Sequence, residues 1–221
     1  MLQRYFGNFF AAAALLLCAA LNGCALVGAV ADKVSGDPQV PAQYVPQKEI
    51  TLVLVENYQN PSSAAIASEQ LDREIASELI EHKVAPIVNP DRVTEVRLHS
   101  PQTFNKLDIA GIGRTFGAKQ VLYVDVRSFN MDDAIGGDMV KANAEARVRI
   151  VDASTGRTLW PVESQSGYPV TMQTPYISLK NGVSETKVRE DATKALGERI
   201  AKLFFTSTEE SPSDSQLSMR N

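Results

Sequence analysis

The chain has 221 residues, 44% of them hydrophobic, and its 22 Lys and Arg residues are outnumbered by 26 Asp and Glu residues. A net charge of −4 argues against nucleic-acid binding, which requires clustered Lys and Arg along the phosphate backbone. Both cysteines lie within the first 24 residues, so the remaining chain has no disulfide and depends on its hydrophobic core.

The N-terminus has the order of an export signal, with Arg4 followed by an uncharged, Ala/Leu-rich run from Phe9 to Leu21. Leu21-Asn22-Gly23-Cys24 then resembles the lipobox of bacterial lipoproteins, in which the cysteine is acylated and becomes the mature N-terminus. This resemblance implies a signal peptide over residues 1–23 and lipidation, with palmitate among the acyl chains, at Cys24.

The anchoring membrane is indicated by the residue after the cysteine. Ala25 resembles lipoproteins that are sorted onward to the outer membrane, and this implies a lipid-anchored domain that faces the periplasm. The alternative is an uncleaved anchor, because residues 9–31 are long enough to cross a bilayer of roughly 30 Å. Both interpretations place the rest of the chain outside the cytoplasm and tie it to a membrane.

A tether is predicted over residues 24–48, which are rich in Pro, Gly and Gln and show no apolar period. One α/β domain follows over residues 49–206, a length sufficient to bury a single core. The last segment, 207–221, is composed of Ser, Glu, Asp, Pro and Gln and is predicted to be disordered.

The first half of the domain alternates strands with helices. Ile50–Val55 is a continuous apolar run typical of a strand covered on both faces. A helix that starts at Asn60-Pro61 or at Ser62-Ser63, with Leu71, Ile75 and Leu79 at helical spacing, leads to a second strand at Val84–Val88. Three further helices are predicted before a third strand at Val121–Phe129, and they start after Asn89, after Ser100 and at Ile109. This order favours parallel strand pairing.

The second half predicts an antiparallel hairpin. From Val140 to Ile150 apolar and polar residues alternate strictly, so one face of this strand is buried and the other is wet. Its predicted partner is Arg157–Val162, which Pro161 places at an edge or a bulge. A short strand near Tyr168–Met172 and a final helix from Glu185, capped by Ser184, complete a mixed α/β sheet with helices packed on it.

Motifs of the common enzyme classes are missing from the sequence, which contains no nucleophile elbow, phosphate loop, dinucleotide-binding glycine motif or Cys-x-x-Cys pair. His82 and His99 fit surface positions better than a metal pair. Asp132, Asp133 and Asp138 could hold a hard cation, but a solvated hairpin turn explains them better. We therefore expect no catalytic residues, no metal and no cofactor.

Four residues are candidates for a protein interface. Arg147 and Arg149 lie on the wet face of the alternating strand, where they form either a solvated charge stripe or a surface for a partner. Trp160 and Tyr168 are the aromatic residues best placed for an interface hot spot, although packing in the core also accounts for Trp160.

The domain as a whole resembles one group of envelope proteins. The residues that carry the resemblance are Gly117-Ala118-Lys119-Gln120-Val121-Leu122 entering a strand, the hairpin of Asp152, Thr155-Gly156 and Leu159-Trp160, and the closing helix. The group includes the N-terminal domain of the Tol translocation protein, the lipoproteins that activate penicillin-binding proteins, and the curli secretion lipoprotein.

The resemblance implies a non-catalytic module that docks another envelope protein, either a peptidoglycan synthase or a secretion component. The alternative is a self-associating subunit of an export channel. Curli-type channels need pairs of long amphipathic strands, and the predicted partner of Val140–Ile150 is short and interrupted by Pro161. A third alternative is an enzyme of an unrecognised type centred on the Asp132–Asp138 loop.

Overall fold

The structure, a computed structural model, describes residues 38–56, 61–134 and 137–208, with the backbone alone for residues 61–67 and 181. The described residues fall into two compact units. The larger unit spans residues 41–207. The smaller one contains residues 38–40 and Thr208, and within it the Gln39 side-chain amide donates a hydrogen bond to Thr208 Oγ1 at 3.3 Å. The predicted signal peptide, Cys24 and most of the predicted tail lie outside the described residues.

The helices and strands follow one another in an order close to the predicted one. In chain order they are β1 (Gln39–Val40), β2 (Thr51–Glu56), α1 (Pro61–Glu81), α2 (Pro90–His99), α3 (Pro101–Phe104), α4 (Ile109–Thr115), β3 (Gln120–Asp133), β4 (Met139–Asp152), β5 (Thr158–Trp160), β6 (Tyr168–Gln173), β7 (Ile177–Ser178), α5 (Glu185–Ala201) and β8 (Ser207–Thr208). Two 3-10 turns, Lys180–Gly182 and Lys202–Phe204, flank α5.

A mixed six-stranded sheet forms the centre of the larger unit. β2 pairs with β3 in parallel, β3 pairs with β4 antiparallel, and β5, β6 and β7 all pair with the other side of β4. This confirms the predicted fold class. The predicted strand at Val84–Val88 is reduced to a single bridge between Ile87 and Thr51, although it lies parallel to β2 as expected.

The hairpin differs from its prediction. The main partner of β4 is β3, which continues four residues beyond Phe129 and pairs with β4 along its length. β5 pairs only with Ile150 and Val151, across a register shift, because its strand ends at Trp160. The hairpin therefore has two strands of 14 residues, and the prediction that the partner of Val140–Ile150 is short was wrong. The apolar face of β4 is nevertheless buried within this chain, with Val140 and Ala142 at 0% exposure.

One face of the sheet carries the larger core, where α1 and α5 pack on it. The alanines of β4 at 142, 144 and 146 are buried there, and their small side chains let α5 approach the sheet closely. Helix α1 ends in a Schellman motif in which Lys83 adopts φ 53° and the Val84 N–H donates to the Leu79 carbonyl at 2.9 Å. Ser184 caps α5 as predicted, since its side chain accepts a hydrogen bond from the Lys187 N–H.

The opposite face is only partly covered. Helices α2 to α4 bury Leu52 and Leu54 of β2 together with the start of β3. Both predicted helix starts are observed, since Pro90 and Pro101 stand at the first helical position of α2 and α3. Beyond these helices the polar side chains of β4 are half-buried, and this alternation confirms that one face of the strand is wet.

Part of the predicted tether packs on the domain. The N–H groups of Gln43 and Tyr44 donate to the Leu203 carbonyl at 2.8 and 3.1 Å, Pro46 is buried, and the Gln120 side chain donates to the Gln47 carbonyl at 2.8 Å. Residues 41–48 therefore belong to the folded unit, because their backbone groups find partners that composition does not reveal. In the part of the chain that the structure describes, no helix is both long and apolar enough to cross a membrane.

Candidate docking surface

The uncovered part of the sheet forms a polar surface that we term the open face. Its side chains project from β3, β4 and β6 on the side opposite α1 and α5. They are half-buried or exposed, whereas the intervening residues of β4 are buried. The open face consists of Asp125, Ser128, Asn130, Asp132, Lys141, Asn143, Glu145, Arg147, Arg149, Pro169, Thr171 and Gln173.

The polar side chains of the open face hold one another in place. Arg147 Nη2 contacts Glu145 Oε1 at 3.1 Å on the same strand. The Gln173 side-chain amide donates to Asn143 Oδ1 at 2.7 Å, and Asn143 in turn donates to Asp132, so the network joins β6, β4 and β3. Because these side chains are ordered before a partner arrives, less conformational entropy is lost when one binds.

A cleft lies at the end of the open face where α4 begins. The Arg149 guanidinium sits 5.0 Å from the centre of the Tyr123 ring, and the Tyr123 hydroxyl donates to Glu56 Oε2 at 3.1 Å. The cleft has a volume of about 280 Å³ and is lined by Glu56, Asp108 and Arg149, among others. It provides a concave, charged feature beside an otherwise flat sheet surface.

The structure divides the four candidate interface residues into two pairs. Arg147 and Arg149 lie on the open face, with side chains on the same side of β4. Trp160 is paired with Ile150 and Tyr168 with Val148, so both aromatic residues lie on the opposite side, next to the core under α5. Their rings stack with centroids 5.0 Å apart. The two pairs therefore cannot form one continuous patch on a single face.

The histidines lie apart and have local partners. The His82 ring stacks on Phe205 at 3.7 Å and lies 3.8 Å from Glu78. His99 Nδ1 is 2.8 Å from the Glu95 carbonyl. Both side chains contact residues of their own helix or beside it, as expected for surface histidines.

The acidic loop is also engaged locally. Asp132 accepts a hydrogen bond from Asn143, and Asp138 forms an ion pair of 2.9 Å with Lys180. Residues 135 and 136 of this loop lie outside the described residues. Sequence analysis missed a different acidic group, in which carboxylate oxygens of Glu74, Glu78 and Glu198 approach within 4.8 Å across α1 and α5.

A buried acid was also missed. Asp72 of α1 is 1% exposed. It accepts a hydrogen bond from the backbone of Val55, and burial is the main reason why its pKa is raised to about 8, against the opposing effect of Arg97. The helical period did contain the signal, because Asp72 lies three residues before the buried Ile75 and four before the buried Ala76.

Comparison with solved structures finds matches among other bacterial proteins. The lipoprotein GNA1162 of Neisseria meningitidis is 19% identical, and the match covers 69% of this chain and 98% of that one with a TM-score of 0.40. The PelC dodecamer of Paraburkholderia phytofirmans is 12% identical over 75% of this chain and 96% of that one, with a TM-score of 0.38. The LpoB C-terminal domain of Salmonella enterica is 14% identical over 60% and 87%, with a TM-score of 0.37.

No curated protein sequence matches the chain. A protein-family model does match it, that of the peptidoglycan-synthase activator LpoB, over residues 25–165. The matched segment begins directly after Cys24 and includes β2 through β5, and so covers more than half of the chain. The chain therefore belongs to the LpoB family of peptidoglycan-synthase activators.

Proposed function

We propose that this protein is a lipid-anchored lipoprotein of the outer membrane that docks on a peptidoglycan synthase in the periplasm and activates it without catalysing a reaction itself. The family match over residues 25–165 carries this proposal. The lipobox at Leu21–Cys24 supports acylation of Cys24 as the anchor. A triacylated cysteine would hold the chain on the membrane almost permanently, because several acyl chains bury many methylenes.

We place the synthase contact on the open face, at Arg147 and Arg149. Arginine is enriched in interface hot spots because its planar guanidinium binds carboxylates in a bidentate manner and stacks on rings. The Arg147 side chain is 31% exposed and already fixed by Glu145. A partner that supplies a carboxylate would extend this ion pair with little further ordering of the arginine.

The cleft gives the open face a concave, charged feature that a flat sheet lacks. Arg149 borders the cleft together with Glu56, so a partner loop that enters it would meet both a positive and a negative side chain. Alternating charges of this kind fix the orientation of a partner more than they raise affinity, because a shifted register juxtaposes like charges.

Reversal of charge on the open face tests the proposal. Arg147→Glu places two acidic residues side by side on β4, and we expect binding to a purified peptidoglycan synthase to weaken about tenfold to a hundredfold, equivalent to about 1.4 to 2.8 kcal/mol. Surface plasmon resonance measures the affinity, and the rate of glycan polymerisation by the synthase measures activation. Arg92→Glu makes the same change at an exposed position of α2 and is the matched control.

Two results would contradict the assignment of the face. One is unchanged affinity and activation by Arg147→Glu, and the other is an equal loss in Arg92→Glu. If neither the unaltered chain nor any variant binds a synthase, the synthase itself is the wrong partner. A stable oligomer of the unaltered chain without synthase binding would favour the export-assembly alternative.

A further inference from the structure

The chain covers its own aromatic cluster with residues 41–47, which we term the strap. The Tyr44 ring stacks on Trp160 with centroids 5.8 Å apart and an angle of 24° between the planes. The N–H groups of Gln43 and Tyr44 both donate to the carbonyl of Leu203, at 2.8 and 3.1 Å. Pro46 is buried on the domain. The strap is thus bound through its backbone, an aromatic ring and a proline.

The surface beneath the strap is aromatic on several sides. Trp160 stacks on Tyr168 at 5.0 Å and meets the edge of Phe204 at 5.7 Å. Tyr44 completes this group, and burial raises the pKa of its hydroxyl above the usual range. Aromatic-lined grooves with a backbone or side-chain polar partner are a recurring site for extended, proline-containing segments, which lose little entropy on binding.

The sequence of the strap has the chemistry that such a groove binds. Pro41-Ala42-Gln43-Tyr44-Val45-Pro46-Gln47 places one aromatic residue between two prolines. Val162, two residues after Trp160, is 75% exposed, so the strap leaves this apolar side chain uncovered.

The strap is held by hydrogen bonds to Leu203 and Gln120, by the Tyr44 ring and by the buried Pro46. Both strap N–H groups share the single carbonyl of Leu203, and the aromatic contact rests on Tyr44 alone. An incoming segment could supply an equivalent N–H to the same carbonyl and an equivalent ring to Trp160. At the groove, displacement would then exchange like interactions for like, while the buried Gln120 side chain would lose its hydrogen bond to the Gln47 carbonyl and keep the one to Thr51 Oγ1.

We propose that the groove formed by Trp160, Tyr168, Phe204 and the Leu203 carbonyl is a binding site for an extended peptide with an aromatic residue flanked by prolines, and that the strap closes it. The site lies on the side of β4 opposite the open face. It does not depend on the identity of the synthase or on the docking role of Arg147. A partner segment of this kind opens the groove by displacing residues 41–47.

The experiment uses Trp160 as a reporter, because it is the only tryptophan of the chain. In the full chain, Tyr44→Ala removes the strap ring and should shift the Trp160 emission to longer wavelength as water reaches the indole. Tyr44→Phe keeps the ring and should keep the original spectrum. Tyr176→Ala, a tyrosine that contacts Lys141 instead, is the matched control and should leave the emission unchanged.

Binding in trans is then measured with a synthetic peptide of residues 40–48, which contains no tryptophan. We expect it to reverse the spectral shift of Tyr44→Ala in a saturable manner, with an apparent affinity about tenfold or more above that for the unaltered chain, where the strap competes. A peptide with Ala in place of its tyrosine should not bind. Absence of saturable binding to Tyr44→Ala would overturn the proposal, as would equal affinity for both chains.

A second measurement does not depend on the stability of a variant. In the unaltered chain, an excess of the peptide should increase hydrogen exchange at the Gln43 and Tyr44 amides, because displacement breaks their bonds to Leu203. Unchanged protection of these two amides at saturating peptide would show that the strap is a fixed part of the domain and would refute a displaceable cover.

Discussion

Asp72 is expected to make the stability of the domain depend on pH, and Asp72→Asn should remove that dependence. The carboxyl group is 1% exposed and is held against β2 by its hydrogen bond from Val55. Its other oxygen, Oδ1, has no hydrogen-bond partner among the described residues. Because an unpaired charge is costly in such surroundings, the group is neutral in the folded chain at neutral pH, with a pKa of about 8.

The direction of the effect follows from proton binding in the two states. An unfolded aspartate has a pKa of about 3.9, so between about pH 4 and pH 8 the folded chain holds one proton that the unfolded chain has lost. The free energy of unfolding therefore falls by about 1.4 kcal/mol for each unit of rising pH in this window. From pH 5 to pH 7 the unaltered chain loses about 3 kcal/mol through this one group.

Asparagine has nearly the same shape as the protonated acid and does not titrate. Near pH 5 Asp72→Asn and the unaltered chain should therefore have similar stability, whereas at pH 7 the variant should be more stable by up to about 3 kcal/mol. The charged groups that act on Asp72, namely Arg97, Glu69 and Arg73, are present in both chains.

Urea denaturation at pH 5, 6, 7 and 8, followed by far-UV circular dichroism, measures this difference. Parallel profiles for Asp72→Asn and the unaltered chain between pH 5 and pH 8 would refute the reasoning. Such a result would mean that the folded domain accommodates the Asp72 anion at little cost.

Two further predictions concern the packing of α5 and the turn after β4. Gly197→Ala should destabilise the domain by about 1 to 3 kcal/mol in urea denaturation, because the added Cβ would lie 2.7 Å from Glu74 Cγ and 2.9 Å from Glu74 Cβ. The control Glu190→Ala, at an exposed position of the same helix, should have little effect on stability. Asp152, exposed and held by hydrogen bonds from Ser154 and Thr155, has its pKa lowered to about 2, so its stabilising effect is complete above about pH 4 and is lost as the pH falls to about 2. The difference in urea midpoint between the unaltered chain and Asp152→Asn should therefore shrink across that window, and a difference that stays constant down to pH 2 would contradict this account.

Local sequence chemistry predicted most of the helix ends. Asn89-Pro90 begins α2 and Ser184 caps α5, because in each case a side chain accepts a hydrogen bond from a backbone N–H two or three residues away. The period-two pattern of Val140–Ile150 likewise showed which residues of β4 would be buried. These signals are carried by near neighbours in the chain, so they do not depend on the rest of the fold.

Strand pairing could not be predicted from caps and periodicity. The partner of β4 was predicted from proximity in sequence, yet the strand that pairs with it along its length is β3. This strand extends past the predicted run Val121–Phe129 and has 14 residues. The side on which Trp160 and Tyr168 lie is likewise fixed by their register with β4, and a shift of one residue would have moved each to the open face. Their division from Arg147 and Arg149 was therefore not readable from the sequence.

The sequence by itself determined the class of fold, the helix boundaries with their caps, and the lipobox that predicts an anchor at Cys24. Only the tertiary structure decided that Asp72 is buried, that residues 41–48 pack on the domain, and that the four candidate interface residues form two separate surfaces. The physical reason is the same in each case. Caps and periodicity are interactions within one element, whereas burial, register and the binding of the strap depend on which distant segments meet.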